Sequence, residues 1–189
     1  MKNILTYIVL FLTFNVYGQN NSKIVNLDSI NFYFGEKLNA ERIKLGKPTV
    51  SYNQKLSTVE LDWIDNYFQY IIKQEDEIVE CMKNRTQPKY ITPTMHGTGE
   101  NDFSHRYNKY FKEFTRHIGE NMAIEYSKDT LSYKDISTKL FNQWVKSNEH
   151  YKNMTNTNDK LNFGEYCLVI RYIKYGEYYI YMGGLFLRS

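Results

Sequence analysis

The stretch Glu165–Leu187, EYCLVIRYIKYGEYYIYMGGLFL, decides the fold class. Tyr166, Leu168, Ile170 and Tyr172 alternate with Cys167, Val169, Arg171 and Ile173. That period of two is the pattern of a β-strand. Tyr175-Gly176 turns the chain, and Glu177 to Leu187 supplies a second strand. The segments before this hairpin have a different period. Ile24, Leu27, Ile30, Phe34 and Leu38 recur every three to four residues, with Leu45 extending the pattern and Gly46 as a stop, which predicts a helix over 24–45. Ser57-Thr58 can cap a second helix, with Glu60 behind them in capping-box spacing. Its apolar positions are Leu61, Ile64, Tyr67, Phe68 and Ile71-Ile72, and it is expected to run to about Met82. A short aromatic helix is expected over 105–115, and another from Tyr133 to His150 with Ile136, Leu140, Phe141, Trp144 and Val145 on one side. Residues 84–104 hold two of the three prolines and many Thr, Gly and Asn, so they read as a long loop. Helices first and a hairpin last define an α+β class, not a βαβ series.

The chain has 189 residues, enough for one domain plus an appendage. With 42% hydrophobic and 24% charged residues it is neither a disordered acidic chain nor a multi-span membrane protein. The net charge is +3 and the basic residues are dispersed, so nucleic acid is not an expected partner. The N-terminus reads as a processing signal. Lys2 gives a positive start and Ile4–Phe14 is an apolar run too short to span a bilayer. Val16-Tyr17-Gly18 offers a cleavage site, so residues 1–18 are expected to be removed and 19–189 to form the mature domain. No later stretch is long and apolar enough for a transmembrane segment. The expected location is secreted or periplasmic. There Cys81 and Cys167 could remain two buried thiols or pair, and a bond closing so long a loop would be worth roughly 4–5 kcal/mol.

Only four histidines are present: His96, His105, His117 and His150. His105 stands in Phe103-Ser104-His105, Glu120 in Gly119-Glu120-Asn121, and His150 after Ser147-Asn148-Glu149. Two imidazoles and a carboxylate brought together can hold zinc or another divalent cation, or act as a general acid/base group. Neither H-E-x-x-H nor G-x-S-x-G occurs.

Five motifs in order resemble the CAP superfamily (cysteine-rich secretory proteins, antigen 5, pathogenesis-related proteins), in particular its small bacterial secreted members. Asn39-Ala-Glu-Arg42-Ile-Lys-Leu-Gly46 is similar to the family's N-x-x-R-x-x-x-G, and Asn53 with Leu56 to its N-x-x-L. Phe103-Ser104-His105 resembles F-S-H, and Gly119-Glu120-Asn121-Met122-Ala123 resembles G-E-N-hydrophobic-Ala. Trp144-x-x-Ser147-x-x-His150-x-x-Asn153-Met154 resembles W-x-x-S-x-x-H-x-x-N-hydrophobic. The resemblance covers about residues 30–187. It implies an α-β-α sandwich, a small antiparallel sheet flanked by helices, with a cleft formed around His105, Glu120 and His150. It implies these three as catalytic or binding residues, with His105 and His150 as metal ligands. Two functions follow from it: a secreted module whose cleft binds a divalent cation, small molecule, peptide or polysaccharide, or an extracytoplasmic hydrolase of peptide or cell-wall material using a metal-bound or His-activated water. Whether the chain is an enzyme stays open. A second G-E-N at Gly99-Glu100-Asn101, just after His96, lies too far from the Trp144 motif and is read as loop. The chain departs from plant and animal members: Ser147 stands where they carry a Glu, and no His follows His150. Asn39 and Arg42 are expected to brace the fold, Trp144 to lie in the core, His117 to lie at the surface, and Glu149 to be a solvated helix-end carboxylate. The tyrosines of the hairpin are expected to be mainly sheet packing.

Overall fold

The computed structural model describes residues 22–72, 80, 81, 83, 84, 102–112, 117–156 and 163–189. The expected leader at 1–18, most of the loop at 84–104, His96 and Glu100 lie outside the described residues. The hairpin is present. Strand β4, Glu165–Tyr175, pairs antiparallel with β5, Tyr178–Arg188, from Glu165↔Arg188 to Tyr175↔Tyr178. Gly176 turns the chain at φ +57, a left-handed conformation that glycine adopts without a Cβ penalty. Strand β3, Ile118–Ser127, pairs antiparallel with the other edge of β5. β1, Lys23–Ile24, runs antiparallel to β4, and β2, Ser51–Tyr52, runs parallel to its start. The sheet order is β1-β4-β5-β3, with β2 also on β4. β3 is an addition to the sequence reading: its apolar run opens with Glu120 and Asn121, both buried.

The helices are α1, Leu27–Lys44; α2, Ser57–Ile72; α3, Phe103–Tyr110; α4, Tyr133–Lys146; and α5, Asn148–Thr155. A 3-10 turn, Gln54–Leu56, leads into α2 and is capped by the Asn53 side chain. The expected single helix to His150 breaks at Ser147, which ends α4 with extended backbone and starts α5.

Alternation along the strands sends successive side chains to opposite faces. Cys167, Val169, Met122, Met182 and Phe186 pack with Val59, Ile64 and Phe68 of α2 and Tyr107 of α3. Leu168, Ile170, Ala123, Leu185 and Leu187 pack with Ile30, Phe34 and Leu38 of α1, with Leu140 and Trp144 of α4, and with Met154 of α5. The result is the expected α+β architecture, an α-β-α sandwich with a small, mainly antiparallel sheet between two helical layers. Cys81 and Cys167 are both buried and neither is bridged. Burial, and then the charge of Glu60, pushes the Cys167 thiol well above its ordinary value, so it behaves as a small apolar side chain. Among the described residues no helix is long and apolar enough to cross a membrane.

One glycine sets the contact between α1 and the sheet. A Cβ on Gly35 would collide with the Tyr166 hydroxyl, which donates to the Asn31 carbonyl at 2.8 Å. Asn31 in turn brackets Leu168, donating to its carbonyl and accepting from its amide at 2.8 Å each. Gly35→Ala is expected to lower stability by about 1–3 kcal/mol through this overpacking, read as a lower urea midpoint at unchanged m-value.

Candidate functional site

The site begins with a polar group on an apolar stripe. Glu60 lies one and two turns before Ile64, Tyr67 and Phe68 on α2, so the helix carries its carboxylate into the core with them. The side chain is fully buried. From the sheet, Glu120 is the third residue of β3 and points to the same layer. Between them stands Arg106 of α3. This helix is held at its N-terminus by Asp102, whose side chain accepts from the Ser104 amide at 2.9 Å. Tyr107 stacks on Phe111 and Phe186 and fixes the rotation of α3, which turns Arg106 inward and His105 outward.

The Arg106 guanidinium pairs with both carboxylates, contacting Glu120 Oε1 closely and Glu60 Oε1 at 3.4 Å. Its Nε donates to the Val59 carbonyl at 3.2 Å. The guanidinium lies 4.9 Å from the Trp63 ring centre, a cation–π contact. Side-chain exposure is 8% for Arg106 and 0% for both glutamates. Glu60 Oε2 has no hydrogen-bond partner among the described residues. It rests over Gly184, where a Cβ would sit 2.6 Å away. The glycine is therefore what admits the carboxyl group.

Burial dominates the electrostatics. It raises Glu60 well above the usual carboxylate range, and the Glu120 charge adds to the effect. It also pushes Glu120 up to about 7, against the hydrogen bond from Glu60 and the charge of Arg106, which both pull it down. One guanidinium neutralises one carboxylate, so the second keeps a proton, and the directions assign that proton to Glu60. The group can hold a proton near neutrality within a water-poor layer.

The other expected site residues are placed as follows. The His105 side chain is 66% exposed, with Asp102 Oδ1 at 4.0 Å from its Nδ1. His150 is half-buried on α5, and its backbone carbonyl accepts from the Asn121 side chain at 2.9 Å. Asn121 also accepts from Asn153 at 2.8 Å, and Trp144 Nε1 donates to the Met122 carbonyl at 3.1 Å. The G-E-N and Trp motifs thus meet, but through residues that tie α4 and α5 to β3. His105 and His150 stand on helices packed against opposite faces of the sheet. Among the described residues, no three His, Cys, Asp or Glu side chains are grouped so as to hold a metal ion. The cation that faces Glu120 among the described residues is the Arg106 guanidinium. His117, expected at the surface, is instead half-buried just before β3, where its amide donates to the Ser189 hydroxyl, and Glu149 is exposed beside Lys152 at 3.4 Å. Glu60 and Arg106 were missed by the sequence reading. The available signal was the position of Glu60 on the apolar stripe of α2.

No family model matches the chain, and no curated protein matches it. Solved structures do. One is an outer surface protein from Borrelia burgdorferi, with TM-score 0.52 and 15% identity over 89% of this chain and 98% of that one. The two chains share a fold. An extracellular protein containing an SCP domain from Bacillus anthracis str. Ames matches with TM-score 0.42 and 17% identity, over 86% of this chain and 41% of that one.

Proposed function

We propose that the chain is an extracytoplasmic protein of the CAP type that acts by binding a ligand and not by hydrolysis. The observation that carries this reading is the closure of Glu120. The hydrolase reading places this carboxylate among the groups beside a reactive water. Its side chain is instead fully buried, paired with Arg106 and packed beside Glu60. The five ordered motifs and the α-β-α layers support the family, and the leader-like residues 1–18 support export. One observation favours the competing hydrolase of peptide or cell-wall substrates: a carboxyl group raised to about 7 is suited to proton transfer.

Two measurements separate the readings. Titration calorimetry of metal-free protein with Zn²⁺ is expected to give the same heats for the wild type, His105→Ala and His150→Ala. Digestion of peptidoglycan and of a peptide library is expected to yield no product. A product that disappears in Glu120→Gln, or a zinc site lost in both histidine variants, would overturn the proposal in favour of the hydrolase or the metal site.

A further inference from the structure

Away from the glutamates, a cavity of about 380 Å³ opens between β1, the start of α4 and the outer hairpin. Its size is at the lower end of small-molecule sites. Ile24, Asn26, Thr130, Tyr133, Tyr172 and Tyr181 form much of its lining. Tyr172 and Tyr181 are direct cross-strand partners, and their rings stack with centres 5.4 Å apart and planes inclined by 22°. The two rings cover one face of each other and Tyr181 is 2% exposed, so the ring surface open to a ligand is that of the half-buried Tyr172 and the exposed Tyr133. Tyr133, 45% exposed, stands at the mouth as the first residue of α4.

The electrostatics of this cavity select a neutral ligand. None of its ten lining residues carries a charge. The N-terminus of α4 would otherwise attract an anion, but it is already satisfied. Ser132 Oγ accepts from the Asp135 amide at 3.1 Å and donates to the Asp135 carboxylate at 2.6 Å, which places a negative charge in the first turn. Donors nevertheless line the cavity. The Tyr181 hydroxyl, on a side chain 2% exposed, accepts from the Leu131 amide at 2.8 Å, and its own O–H finds no acceptor among the described residues. Asn26 uses its carbonyl oxygen to cap α1 at 2.9 Å from the Ser29 amide, which leaves its NH₂ for another acceptor. The exposed Thr130 hydroxyl stands on the same rim. A purely apolar ligand would desolvate these donors without replacing their bonds.

We infer that this cavity binds a pyranose ring of a neutral saccharide, whose C–H face packs on Tyr172 and Tyr133 and whose hydroxyls accept from the edge-on Tyr181 hydroxyl and from Asn26. Aromatic faces beside a few directed polar groups satisfy the two sides of such a ring. The inference names a ligand for the binding reading and rests on it, but its failure is separable, because the zinc and digestion assays test that reading on other residues.

The test is a ¹⁵N NMR titration of the protein with maltotriose, cellotriose and the N-acetylglucosamine trimer, alongside benzoate and octanol. At least one saccharide is expected to bind with a Kd on the order of 1 mM or tighter, with saturable shifts at residues 130–132 and 181. Tyr133→Ala, at an exposed position that does not endanger folding, and Tyr172→Ala are each expected to weaken binding about ten-fold. Absence of shifts with all three saccharides, shifts confined to another surface, or unchanged affinity in Tyr133→Ala overturns the proposal. So does equal binding of benzoate or octanol.

Discussion

Arg106→Leu is expected to destabilise the protein by about 3–5 kcal/mol at pH 8, and by clearly less at pH 5. The asymmetry follows from the two carboxyls it faces. Glu120 has a folded-state pKa of about 7 against a usual 4.5, and Glu60 is raised further by full burial. Between the usual value and the raised one, the folded state binds more protons than the unfolded state. Stability from this group is therefore fully present below pH 4.5 and falls as pH rises through 7. Arg106 limits that fall by holding Glu120 in its charged form. Without it, Glu120 must either stay protonated against an alkaline solvent or remain as an uncompensated buried anion, and both penalties grow with pH. At pH 5, below the raised value of about 7 for Glu120, the charge on the carboxyl facing Arg106 is largely gone, and the loss falls toward that of packing against Trp63 and the bond to the Val59 carbonyl. Urea unfolding at the two pH values measures the difference, and equal losses at both would remove the electrostatic account. Glu60→Gln gives the complementary result. The amide can still donate to Glu120 but does not titrate, so this variant is expected to flatten the decline of stability between pH 5 and pH 8.

The hairpin was legible because eleven-residue strands repeat a period of two, and the major helices because their buried residues repeat at three to four. β3 was not. Its first buried side chains, Glu120 and Asn121, are polar and face opposite layers, so no apolar alternation announces the strand. The site was legible in one of its three members. Glu120 stood out by motif. Glu60 sits three residues after Ser57, a spacing equally suited to a capping box, and only its company on the packed face of α2 distinguishes the two roles. His105 and Arg106 are chain neighbours, and which of them turns inward is set by how Tyr107 stacks on Phe111 and Phe186, the latter far away in sequence. The histidines drew attention by rarity and motif, yet rarity carries no information about the direction of a side chain. Asn39 was correctly read as a brace and Trp144 as core. Asn39 exchanges two hydrogen bonds with the backbone of Val50, and Trp144 is fully buried against β3.

Arg42→Ala is the second large effect, expected at about 3–5 kcal/mol. Arg42 is fully buried near the end of α1 and faces no carboxylate among the described residues. Its guanidinium is instead shared among three backbone carbonyls: Nε donates to Pro48 at 2.7 Å, Nη1 to Met154 at 3.2 Å and Nη2 to Phe163 at 3.4 Å. These belong to the turn after α1, the end of α5 and the approach to β4. The three segments have few ladder bonds of their own, so the planar fork of one side chain holds together one end of the α1, α4 and α5 layer. Burial lowers the Arg42 pKa, but from so high a starting value that the group stays charged throughout the stable range. Truncation leaves three acceptors desolvated without a donor and a cavity the size of the side chain. Arg42→Lys is expected to recover only part of the loss, because a single ammonium cannot reach three carbonyls arranged for a fork. The loss should be nearly independent of pH between 5 and 8, unlike that of Arg106→Leu, since no titrating partner is involved. Urea titrations of both variants at the two pH values provide the comparison. A change below about 1 kcal/mol in Arg42→Ala would show that the three carbonyls find water as a substitute and that the layer is held by its apolar contacts alone.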